Sequence, residues 1–80
     1  MVLLTALLGL ATSAVGQDAL REAATVLERW DGDDAYHLVR PLVEARPQDP
    51  EVLTLLTKAS LYRGEYLEAA RWAERWSASI

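Results

Sequence analysis

The sequence predicts an all-α fold of short antiparallel helices. Apolar residues recur every three to four positions through most of the chain, which is the helical period. Breaks that contain glycine or proline separate these runs. Only two to four residues fill each break, and connections this short force neighbouring helices to run antiparallel.

The clearest helical pair lies between Asp49 and Trp76. Asp49 can accept hydrogen bonds from free N–H groups at a helix start, and Pro50 suits the first helical position. Gly64 can adopt the left-handed conformation that ends a helix. Apolar residues recur at helical spacing at Val52, Leu53, Leu56, Ala59, Leu61 and Tyr62 in the first helix, and at Tyr66, Ala69, Ala70, Ala73 and Trp76 in the second, whose inner face is lined by small residues.

Two further helices are predicted over residues 17–30 and 33–45. Asp18 is the expected N-cap of the first, and Asp31-Gly32 is the expected break between them. Pro41 lies inside the second helix and should kink it. The predicted inward residues are Leu20, Ala23, Ala24, Leu27 and Trp30, then Ala35, Leu38, Val39, Leu42 and Val43.

Residues 1–16 contain no charged side chain and form a separate segment before the helical domain of residues 17–80. The apolar run from Val2 to Val15 is shorter than a bilayer-spanning helix and suits the hydrophobic core of a secretory signal peptide. Cleavage is expected after Gly16, which indicates a periplasmic or secreted bacterial protein. A retained membrane anchor and an N-terminal helix packed on the domain, in a cytoplasmic protein, are the alternatives.

Composition excludes several classes of function. The chain has 80 residues, no cysteine and a net charge of −4, so disulfides and thiolate metal sites are absent. Nucleic-acid binding expects a basic face, which the interspersed charges do not provide.

A shift of 34 residues reveals an internal similarity. It aligns Leu27 with Leu61, Arg29 with Arg63 and Ala35 with Ala69. This resembles the tetratricopeptide repeat, a unit of two antiparallel helices with that period. Residues 50–80 match its packing pattern, at Leu53, Leu56, Ala59, Gly64, Tyr66, Ala69 and Ala73. Residues 17–49 form a more divergent repeat, in which Gly32 sits two residues late and Pro41 interrupts the second helix.

The resemblance implies a groove lined by the first helix of each unit. Its expected residues are Glu51, Thr54, Lys58, Leu61 and Tyr62, and from the divergent repeat Gln17, Leu20, Ala24, Leu27 and Glu28. A peptide or helix of a partner protein would lie there. Trp72 and Trp76 are expected to form an association surface. Such a surface would meet a continuation of the chain or a second copy, unless the Val2–Val15 helix covers an open end.

The sequence predicts no catalytic or metal-binding site. Asp33, Asp34 and His37 have possible metal-ligand spacing, but two ligands from one helix make a poor site, so no metal or other cofactor is expected. The single histidine has no evident nucleophile to activate. The sequence therefore predicts a non-catalytic scaffold or adaptor that binds proteins. The alternative is the N-terminal helical portion of a larger exported enzyme whose catalytic domain lies beyond residue 80.

Overall fold

A computed structural model describes residues 16–79, and these residues are helical with no β-strand among them. Helix α1 is described over residues 16–27. It is followed by α2 (Gly32–Val39), α3 (Leu42–Ala45), α4 (Pro50–Tyr62) and α5 (Tyr66–Ser79). The all-α prediction is confirmed. The predicted N-terminal segment lies outside the described residues except for Gly16.

Helix α4 occupies the centre of the packing. It contacts α2, α3 and α5. Leucine, valine and alanine side chains from every helix meet around it in one core, and Trp72 joins them from α5. The fully buried members are Ala23, Ala35, Val39, Val52, Leu53, Leu56 and Ala59. Because burial of apolar area is the main stabilising term for folding, α4 is the element on which the domain depends most.

Both ends of α4 form as predicted. The Asp49 carboxylate accepts a hydrogen bond of 2.9 Å from the Glu51 N–H, and Pro50 is the first helical residue. At the other end Gly64 has a φ of 80°. The Glu65 N–H donates to the Ser60 carbonyl at 2.9 Å, and the Gly64 N–H donates to the Leu61 carbonyl at 3.0 Å. This pair of bonds is a Schellman motif, which satisfies carbonyls that the helix leaves free.

The end of α1 repeats this geometry 34 residues earlier, with tryptophan in the place of glycine. Trp30 has a φ of 62°, and its N–H donates to the Leu27 carbonyl at 3.0 Å. The Asp31 N–H donates to the Val26 carbonyl at 3.2 Å. The prediction that the helix continues to residue 30 and breaks at Asp31-Gly32 is therefore wrong. Trp30 makes the turn, and its side chain is 72% exposed rather than directed inward.

Gly32 has a different role, since it is the first residue of α2 and is buried. A Cβ placed on it would lie 2.6 Å from the Ala59 carbonyl oxygen and 2.8 Å from the Tyr62 Cβ. Gly32 therefore permits α2 and α4 to approach closely. Gly32 is therefore not a displaced counterpart of Gly64 in the 34-residue pattern, because Trp30 is the position that corresponds to Gly64.

We expect Trp30→Gly to be more stable than Trp30→Ala by about 1–2 kcal/mol, which is the usual cost of a left-handed conformation for a residue with a Cβ. Both changes remove the same indole ring, so their difference isolates backbone strain. Urea denaturation of the two variants, followed by circular dichroism, measures it. Equal stabilities would show that residue 30 does not hold the left-handed conformation in solution.

Other details of the helices depart from the predictions. Asp18 lies inside α1, so it is not the N-cap. In α5, Ala69 and Trp72 are buried whereas Tyr66 and Ala70 are exposed. The predicted interruption at Pro41 is confirmed, because α2 ends before it and α3 begins after it. Proline lacks the N–H that would continue the hydrogen-bond ladder.

Ser60 is the buried polar exception in the described core. It is fully buried, and its hydroxyl has no hydrogen-bond partner in the described structure. A buried polar group without a partner costs about 1–3 kcal/mol. We expect Ser60→Ala to raise the free energy of unfolding by about 1 kcal/mol, measured by thermal and urea denaturation. Thr57→Ala is the control, because the Thr57 hydroxyl donates to the Leu53 carbonyl at 2.8 Å and its loss brings no such gain.

Candidate functional site: a groove between α1 and α4

An open groove with a volume of about 360 Å³ lies between α1 and α4. Helix α1 and the turn after it contribute Ala24, Leu27, Glu28 and Trp30 to its lining. Helix α4 contributes Leu55, Lys58 and Tyr62, which follow one another at helical spacing. The groove thus combines an apolar floor with two charged side chains and two aromatic rings.

The structure brings part of the predicted groove together. Lys58 and Tyr62 line it from α4, and Ala24, Leu27 and Glu28 line it from α1. Of the other predicted residues, Glu51, Thr54, Leu61 and Gln17 lie outside this lining, and Leu20 is buried in the core. Whether this groove binds a partner stays a prediction.

Sequence reasoning missed two lining residues, Leu55 and Trp30. Leu55 is on the same helical face as Lys58 and Tyr62, so its spacing could have revealed it. Trp30 was assigned to the core because it continues the apolar period of α1. No local signal marked the left-handed turn that carries it to the surface.

Trp30 and Tyr62 form an aromatic pair at one end of the groove. Their ring centroids are 4.8 Å apart, with an angle of 49° between the ring planes. Both rings also line a second hollow of about 360 Å³ around the helix-connecting turns. Its other polar wall residues are Asp31, Asp33, Arg63 and Glu65. The aromatic pair is therefore the wall that the apolar groove shares with a largely acidic hollow.

The charges of this hollow are unequally paired. Arg63 contacts Asp33, with 2.8 Å between its Nε and the carboxylate, and its guanidinium stacks 4.0 Å from the Tyr36 ring. Asp31 accepts a hydrogen bond from the Asp34 N–H at 3.1 Å, as the N-cap of α2. Within the described residues no ion pair involves Glu65. The repulsion of Asp31 is the main cause that raises the pKa of Asp34 above its ordinary value.

A polar network joins α2 to α5. The Tyr36 hydroxyl and the Trp72 indole N–H both donate to one carboxylate oxygen of Glu68. The guanidinium groups of Arg40 and Arg75 lie 5.5 and 5.1 Å from the Trp72 ring centroid. These contacts fix the orientation of α5 on α2, which determines which residues of α5 are buried.

This arrangement corrects the expected position of Trp72. Its side chain is only 8% exposed and belongs to the core, so it does not present a surface to a partner. Trp76 is 39% exposed, and its part in an association surface stays a prediction.

We expect the stability of the protein to fall as the pH rises above 10, partly through Tyr36. Partial burial, and then the hydrogen bond to Glu68 and its negative charge, raise the pKa of the Tyr36 phenol above its ordinary value of 10.0. The folded state therefore favours the neutral phenol. Its contribution is fully present below pH 10 and is lost as the pH passes the raised value.

The test compares the wild type with Tyr36→Phe by urea denaturation between pH 8 and pH 11. The difference in free energy of unfolding between the two proteins should shrink as the pH rises. Titrations that the two proteins share cancel in this difference. A constant difference over this range would contradict the proposed environment of Tyr36.

The described residues do not gather a metal site. No three histidine, aspartate or glutamate side chains among them converge on a point that could hold an ion. Asp33 pairs with Arg63, and the His37 ring lies edge-on to Tyr36. Within the same part of the chain, no helix has both the length and the apolar character of a bilayer-crossing segment.

Comparison of the chain with protein-family models, with curated proteins and with solved structures finds no match in any of the three.

Proposed function

We propose that this protein is a non-catalytic protein-binding module of the tetratricopeptide type, and that the groove between α1 and α4 receives a segment of a partner protein. The observation that carries the proposal is the composition of the groove. Its apolar residues, Leu27 and Leu55, lie beside Glu28 and Lys58, which form no ion pair with another described residue. Binding grooves typically combine an apolar floor with a few polar groups that fix orientation.

The helical arrangement supports the same proposal. The turns after α1 and α4 share their hydrogen-bond pattern at an interval of 34 residues, which is the period of the tetratricopeptide repeat. Helices α2 and α5 begin at the same interval. In such arrays the first helix of each unit faces the ligand, and α1 and α4 hold those positions here.

Peptide selection tests the proposal. A displayed library of random peptides is selected on the immobilised full chain, and the affinities of the selected peptides are measured for Lys58→Ala and Tyr62→Ala. We expect Tyr62→Ala to weaken binding by about tenfold or more, since interface anchors often contribute over 1.4 kcal/mol. Lys58→Ala should weaken the binding of acidic peptides and strengthen that of basic ones, because it removes a positive charge from the groove.

Matched controls are Arg71→Ala and Tyr66→Ala, because both side chains are exposed and lie outside the groove. These changes should leave the affinities unchanged. Selected peptides that bind the groove variants as tightly as the wild type would overturn the proposal.

The proposal includes export from a bacterial cytoplasm, with residues 1–16 as the signal. N-terminal sequencing of the protein recovered from cells tests this part separately. Mature chains should begin at Gln17. Recovery of chains that retain residues 1–16 would contradict cleavage and leave the binding proposal untouched.

A further inference from the structure

We propose that the segment bound in this groove is basic and apolar: it places an arginine or lysine side chain across the Trp30–Tyr62 pair towards the acidic hollow, and an apolar side chain beside Leu27 and Leu55. This inference rests on the proposed function and names the chemistry of the partner.

The aromatic pair of Trp30 and Tyr62 offers an open surface to a cationic side chain. Trp30 is 72% exposed although its ring contacts Tyr62, so one of its surfaces remains open to a ligand. Both rings border the apolar groove and the acidic hollow at once. A cation placed between these two hollows must pass the rings, and aromatic faces attract arginine and lysine groups.

The charge of the hollow favours a cationic side chain. The hollow has three carboxylates, on Asp31, Asp33 and Glu65, and a single guanidinium, on Arg63. Arg63 already pairs with Asp33 and stacks on Tyr36, so it neutralises one carboxylate and is not directed at a ligand. The hollow therefore keeps an excess of negative charge, and the net charge of the whole chain, −4, has the same sign. An incoming cation is attracted and an incoming carboxylate is repelled.

The apolar part of the groove favours an aliphatic side chain of the partner. Leu27 and Leu55 are 7% and 8% exposed, so they form a floor and do not project into solvent. Ala24 beside them leaves room for a ligand side chain. An aliphatic side chain of the partner would pack on this floor and cover the apolar area that remains exposed there.

Two synthetic peptides of equal length test the inference by fluorescence anisotropy at low salt. They share the same leucines, and one has arginines where the other has glutamates. We expect the arginine peptide to bind at least tenfold more tightly, and its affinity to fall as salt screens the charges. Equal affinities, or tighter binding of the glutamate peptide, would overturn the inference.

Variants locate the effect. Trp30→Gly should weaken the arginine peptide by about fivefold, within the range expected for a lost cation–aromatic contact, and it relieves the strained turn rather than unfolding it. Glu65→Gln should weaken it by about threefold, because it removes one elementary charge. Tyr66→Ala is the control and should have no effect. An unchanged affinity of Trp30→Gly, with the fold verified by circular dichroism, would also overturn the inference.

The outcome of the library selection separates this inference from the proposed function. Selected peptides that are acidic or neutral, and that lose affinity with Tyr62→Ala, would leave the proposed function standing and overturn the basic partner. Peptides whose affinity changes with neither Lys58→Ala nor Tyr62→Ala would overturn the proposed function and this inference together. Enrichment of arginine or lysine next to an aliphatic residue supports both.

Discussion

We expect Gly32→Ala to lower the free energy of unfolding by about 3 kcal/mol, at the upper end of the usual overpacking cost. The added methyl group would meet the Ala59 carbonyl oxygen at 2.6 Å, the Tyr62 Cβ at 2.8 Å and the Arg63 nitrogen at 3.0 Å. Two of these atoms are backbone and the third is a Cβ, so no side-chain rotation relieves the contacts. Helix α2 must move away from α4. Urea denaturation followed by circular dichroism measures the loss.

Gly64→Ala is the matched control, since it adds the same methyl group to the glycine in the turn after α4. Gly64 has a φ of 80° and no atom within 4 Å of an added Cβ. Its cost is therefore backbone strain alone, about 1–2 kcal/mol. If Gly64→Ala proves as costly as Gly32→Ala, the close approach of α2 to α4 is incorrect.

Trp72→Ala should have the larger effect of the two, about 3–5 kcal/mol. Its ring is 8% exposed, and its indole N–H donates to Glu68 at 3.4 Å. The change leaves a cavity in the core and removes the surface that Arg40 and Arg75 contact. A hydrophobic core in a domain of this size rarely supplies more than about 3–5 kcal/mol in total. We therefore expect the variant to be largely unfolded at 25 °C.

Two comparisons make the Trp72 result decisive. Trp72→Phe keeps an aromatic ring in the core and should retain a cooperative thermal transition. Tyr66→Ala removes an exposed aromatic side chain from the same helix and should change stability by less than about 0.5 kcal/mol. A folded Trp72→Ala protein that only loses self-association would restore Trp72 to a surface role.

The ends of α4 could be predicted because their signals are local. An aspartate before a proline and a glycine after the last apolar turn act through hydrogen bonds within a few residues. The roles of Trp30 and Gly32 could not be separated in this way. The sequence shows that Gly32 lies near a break between helices. Its role is to permit the close approach of α4, and this contact involves residues about 30 positions later in the chain.

Prediction of the groove was limited by the rotation of each helix. Lys58 and Tyr62 were predicted because they match the positions that line the groove in the tetratricopeptide pattern, which the sequence resembles. Trp72 was misplaced because the network with Tyr36 and Glu68, which belongs to the tertiary structure, decides which face of α5 turns inward. Trp30 was misplaced because a left-handed residue redirects its side chain, and no local signal marks tryptophan for that conformation.

The central place of α4 has a consequence for how the domain folds. Its main partners are α5, which follows it directly, and α2, which precedes it with the short α3 between them, so these contacts join residues that are not far apart along the chain. Proteins with such low contact order fold in microseconds to milliseconds. Six of the 13 residues of α4 are buried, and α4 contacts both α2 and α5. Loss of either partner therefore removes part of the packing of α4, and we expect the helices to fold and unfold as one cooperative unit.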